Sequence, residues 1–146
     1  MITLTINDKD YKVKTSWKEL KYIDYAEIKQ ATLIDRLAIS SSVPESVLNL
    51  CTLDQINQII PLIDWMEEEP EFAPVDSTVN IAAESYGHME KSKQLWQKES
   101  NPHKAIIEII KLYTGEDITN KSVFECYGLV DFFLTNSMRF LLDSQD

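Results

Sequence analysis

The chain begins Ile2-Thr3-Leu4-Thr5-Ile6-Asn7-Asp8-Lys9-Asp10-Tyr11-Lys12-Val13 after its first methionine. Ile2, Leu4 and Ile6 share one face of a two-residue repeat, and Thr3 and Thr5 share the other. Asn7-Asp8-Lys9-Asp10 is turn chemistry, because short polar side chains bond their own backbone and tolerate left-handed geometry. Tyr11 and Val13 then alternate with Lys12 and Lys14. The reading is a β-hairpin with one apolar face. A lone hairpin is marginal in water, so that face must pack on something, and a helix is the expected support.

Helical patterns fill the rest. Ser16-Trp17-Lys18-Glu19 has the form of a capping box and predicts a helix carrying Leu20, Ile23, Tyr25 or Ala26, and Ile28. A second helix spans about 32–39 and ends at the serine run before Pro44. A short turn of helix follows at 45–50. Thr52-Leu53-Asp54-Gln55 is a second capping box, opening a helix with Leu53, Ile56, Ile59, Ile60, Ile63 and Met66 at helical spacing. After it, residues 78–99 read as a polar helix. Asn101-Pro102 opens the next one and Thr114-Gly115 stops it. Ser122-Val123-Phe124-Glu125 starts the last, which is apolar on more than one side.

The stretch 67–78 changes character. Acid is dense there and Pro70 and Pro74 interrupt it, which reads as a linker. The expectation is one domain over 1–146, with two halves, 1–67 and 78–146, joined by an acidic, proline-containing linker at 68–77. A faint internal echo relates Leu33–Ile39 to Ile106–Leu112 and Leu62–Met66 to Leu129–Phe133, as two helical hairpins would. The fold class expected is α+β and predominantly helical, an N-terminal β-hairpin packed on a bundle of about six helices.

Bulk properties narrow the function. The chain has 146 residues, 44% hydrophobic and 26% charged, the composition of an ordinary globular domain. Its formal net charge of -10 argues against nucleic acid and anionic membrane as partners, since both select basic faces. It favours solubility and basic or apolar protein partners. With three glycines, no glycine-rich phosphate loop can be built. A signal peptide is not expected from a strand-like N-terminus, and a cytoplasmic setting is. Cys51 and Cys126 sit in apolar helical stretches and read as free thiols.

No catalytic, cofactor or metal site is expected. His88 and His103 lie on different elements, and neither has a partner at metal-ligand spacing. Carboxylate pairs such as Asp64 with Glu67 are what 24 acids produce by chance. The aromatic residues are more informative. Trp17, directly after the hairpin, reads as a core anchor. Trp65 and Met66, beside the acid run, and Phe72 within it, are candidates for partner contact. So are Phe132 and Phe140 on the last helix, because a helix apolar nearly all round is central or meets a partner.

The hairpin of residues 2–13, the following Thr15-Ser16-Trp17-Lys18-Glu19-Leu20 and Tyr22-Ile23-Asp24-Tyr25, and the later Pro44-Glu45-Ser46-Val47-Leu48-Asn49-Leu50 resemble a known family. It is the small acidic proteins of tailed bacteriophages, often described as tail assembly chaperones or tail-region proteins. Tyr113-Thr114-Gly115-Glu116-Asp117-Ile118 fits less firmly. The resemblance implies a non-enzymatic factor in the host cytoplasm that binds a tape-measure protein or another tail or virion subunit during assembly. A structural virion component of the neck, baseplate or tail is the alternative it leaves open. A small enzyme or a regulator of a host protein is the third.

Overall fold

The computed structural model describes residues 1–73 and 86–144; for residue 88 and for 136–144 it describes the backbone alone. Strands β1 (Ile2–Ile6) and β2 (Lys9–Val13) pair antiparallel, with Leu4 opposite Tyr11 and Ile2 opposite Val13. Asn7 and Asp8 both have positive φ, 51° and 67°. Two left-handed residues make the tight loop whose twist matches a hairpin. The turn is therefore shorter than the four polar residues suggest, and Lys9 and Asp10 join the ladder. Ile6, Tyr11 and Val13 are buried, while Ile2 at the open end is exposed. The edge of β2 is covered by the chain leaving the second helix: the Lys14 N–H donates to the Ser40 carbonyl at 2.9 Å, and Ser42 N–H to Lys12 O at 3.2 Å.

The first helix does not begin at the Ser16 motif. Residues 16–20 form a turn, and α1 spans Tyr22–Ile28. The Glu19 carboxylate, instead of closing a helix cap, accepts from Thr15 N–H at 3.2 Å and Thr15 Oγ1 at 2.7 Å. It also pairs with the N-terminal ammonium at 2.7 Å. The orphan donors of α1 are satisfied from the far end of the chain: Tyr22 N–H meets Lys121 O at 2.8 Å and Ile23 N–H meets Thr119 O at 3.1 Å. That is a tertiary solution to a local need.

Helices α2 (Leu33–Ser40) and α3 (Glu45–Leu50) follow. The Thr52–Gln55 motif is a true reciprocal box and opens α4 (Leu53–Ile59). The long helix expected beyond it is divided, because residues Ile60–Glu67 wind as a 3₁₀ helix. Pro61 lacks an N–H and its ring crowds the preceding turn, so α-helical continuation is lost there. Helix α5 runs Tyr86–Lys98; the expected start of this helix at 78 lies outside the described residues. Helix α6 (Pro102–Thr114) is capped by Asn101, whose side chain accepts from His103 N–H, and closed by Gly115 at φ 77°. Helix α7 spans Val123–Ser144, with Ser122 Oγ accepting from Glu125 N–H at 3.2 Å.

The architecture is thus α+β and predominantly helical, a two-stranded hairpin with seven α-helices among the described residues. One apolar cluster joins Ile6 and Tyr11 of the hairpin, Tyr22 and Tyr25 of α1, Leu37, Ile63, Ile106 and Ile110 of α6, and Val130 and Phe133 of α7. It draws on both sides of the acidic stretch. Buried Asn101 also spans them, its amide donating to Ala26 O at 2.9 Å. The internal echo extends to local structure in its first pair alone: Leu33–Ile39 and Ile106–Leu112 are both α-helical, whereas Leu62–Met66 is 3₁₀ and Leu129–Phe133 is α-helical. No helix among the described residues is long and apolar enough to cross a membrane.

Candidate functional site

Three aromatic residues from distant parts of the sequence meet where the hairpin link, the 3₁₀ helix and the start of α7 converge. Trp17 is 7% exposed and lies edge-on to Trp65, with ring centroids 4.8 Å apart, and to Tyr25 at 5.7 Å. Trp65 is half-buried, and its indole Nε1–H donates to Lys14 O at 3.2 Å. That bond removes the cost of burying part of the indole with its N–H unpaired. Phe124, in the first turn of α7, is pinned by its backbone from both sides. Its N–H donates to Trp17 O at 3.2 Å, and its carbonyl accepts from Ala73 N–H at 2.9 Å. Its ring stays half-buried, with Lys18 Nζ 4.7 Å from the centroid.

Residues 68–73 complete the site. This described part of the stretch read as a linker lies against the start of α7: Pro70 is buried, and Phe72 meets Tyr127 at 5.6 Å between centroids. Glu68 and Glu71 thereby face a surface groove of about 380 Å³, whose other walls are Thr15, Ser16, Trp17, Lys18, Trp65 and Phe124. Among the described residues neither glutamate forms an ion pair. The groove therefore presents aromatic surface, two carboxylates and one ammonium. Ser16 directs its hydroxyl to the Glu19 carboxylate at 3.4 Å, and among the described residues no imidazole or thiol lines the space.

The contact candidates separate. Trp65 lines the groove and Phe72 stands in the strap that forms its wall, 44% exposed. Met66, next to Trp65, turns inward at 8% exposure and belongs to the core cluster. Phe132 is half-buried on α7 with its ring edge-on to Phe133 at 5.3 Å. The side chain of Phe140 lies outside the described residues. Sequence reading missed Phe124, hidden inside a helix-start motif, and took Trp17 as core alone. It also read Glu68 and Glu71 only as part of an acidic linker. Only their assembly gives them meaning.

The remaining titratable groups of note lie off the groove. His103 is held below its usual value by burial, assisted by the charge of Lys29, and packs edge-on to Tyr25 at 5.5 Å. Burial pushes the Cys126 thiol up to about 12, the form of an inert core cysteine. Cys51 is half-buried; both thiols are free. No group of three or more His, Cys, Asp or Glu that could hold a metal ion occurs among the described residues. Comparison with family models, curated proteins and solved structures finds no match.

Proposed function

We propose that the protein is a non-catalytic protein-binding factor, of the kind that tail assembly chaperones supply to a tape-measure or tail subunit of a tailed bacteriophage in the host cytoplasm. The observation that carries the reading is the groove. Trp65, through its indole N–H, and Phe124, through its backbone, are fixed by hydrogen bonds yet only partly buried, with Phe72 in the adjoining strap. Tryptophan and other aromatic anchors in a preformed concavity are the residues that dominate protein–protein binding energy. Leu50 and Leu53, 85% and 82% exposed at the α3–α4 corner, add apolar surface elsewhere on the molecule. A net charge of -10 would keep a complex with an aggregation-prone partner in solution.

The test is co-expression with the tape-measure protein of the same genome. The soluble fraction of that protein rises with the wild-type chain and stays at its unaided level with a Trp65→Ala, Phe124→Ala double variant of native circular dichroism. An unchanged soluble fraction with the wild-type chain contradicts the proposal. Mass spectrometry of purified particles separates a chaperone, absent from them, from a structural component, present in them.

A further inference from the structure

The charge inside the groove is unbalanced. Two carboxylates, Glu68 and Glu71, line it against one ammonium, Lys18. The ammonium is already committed to an aromatic face, 4.7 Å from the Phe124 centroid, the geometry of a cation–π contact. Glu68 and Glu71 have no ion-pair partner among the described residues. Trp65, on the same wall system, is only partly buried.

We propose that the groove takes an arginine side chain of the partner polypeptide. This rests on the protein-binding reading and adds the chemistry of the contact. Arginine is favoured over lysine by the site's make-up. A planar guanidinium stacks on indole and phenyl faces and forms forked bonds to carboxylates, whereas an ammonium acts as a point charge. The apolar stem of arginine suits the aromatic floor, and its charge answers the one carboxylate in excess. A purely apolar insert would instead leave Glu68 and Glu71 partly desolvated and unpaired, which costs affinity.

Nα-acetyl-arginine amide, titrated into the intact ¹⁵N-labelled protein, tests this, with Nα-acetyl-citrulline amide as the neutral probe of the same shape. The arginine probe is expected to move the indole N–H signals of Trp65 and Trp17 saturably, and the citrulline probe to bind at least about tenfold more weakly. A Glu68→Gln, Glu71→Gln pair should erase that preference, and Lys18→Met should strengthen arginine binding by about two- to fivefold. Equal binding of both probes, no saturable shift with arginine, or a preference that survives the double glutamine variant overturns the inference. The solubility assay with the tape-measure protein reads independently of it. If solubilisation depends on Trp65 and Phe124 while the probes show no charge preference, the arginine contact alone is refuted.

Discussion

Tyr22 and Trp65 are both large aromatic residues placed by contacts from across the chain, and their surroundings differ sharply. Tyr22 is fully buried between α1 and the residues preceding α7, beside Tyr25 and Cys126, in the interior that α6 and α7 close. Trp65 is fixed as firmly, by an indole bond and an edge contact to Trp17, but one side of its environment is open groove. The interior shows aromatic and aliphatic side chains used for stability. The groove shows aromatic side chains fixed in place and left incompletely covered, the arrangement the proposed binding role requires.

Substitutions should separate the two regions. The largest effect is expected for Phe133→Ala in the sealed interior, a loss of about 3–5 kcal/mol by denaturant titration, because a fully buried ring leaves a cavity. Trp65→Ala should cost less stability than Phe133→Ala, about 2–3 kcal/mol, since the ring is only partly buried against the core. The same variant should abolish partner solubilisation. Asn101→Ala comes next, at about 2 kcal/mol, because it removes the cap of α6 and orphans the buried Ala26 carbonyl. If Phe133→Ala and Trp65→Ala were equally destabilising, the distinction between core and groove would collapse.

The smallest effect concerns pH. Burial holds His103 below 6.5, so the unfolded chain binds a proton that the folded chain does not as pH falls through that value. The contribution to stability is whole above 6.5 and is lost progressively as the pH drops toward the folded-state value. Denaturant titrations between pH 7.5 and 5 should show this slope and its flattening in His103→Gln.

Much of the architecture is legible in the sequence, and the exceptions have physical causes. The hairpin follows from its alternation, α6 from Asn101-Pro102 and Gly115, and α4 from Thr52 with Gln55. Ser16 with Glu19 has the same local chemistry as Thr52 with Gln55 but starts no helix. Glu19 is drawn away by Thr15 and the N-terminal ammonium, and Trp17 and Leu20 are pulled into the interior. The apolar periodicity from Leu53 to Met66 runs on through the division after Ile59, and Pro61 alone marks it in the sequence. The candidate site was legible only in part. Trp65 and Phe72 stand out as aromatics beside acid, but the groove also needs Phe124, more than fifty residues away. The acid run acquires its role by lying against α7, a placement no local spacing encodes.

Site-specific photo-cross-linking addresses the central claim directly. A benzophenone amino acid in place of Lys18, on the groove wall, should trap one discrete polypeptide adduct in cells co-producing the tape-measure protein of the same genome, and Trp65→Ala in the same chain should remove it. The same probe in place of exposed Glu108 on α6 should trap none. Equal adducts from both positions, or none from position 18 under conditions where the tape-measure protein is present, would contradict a binding role for the groove.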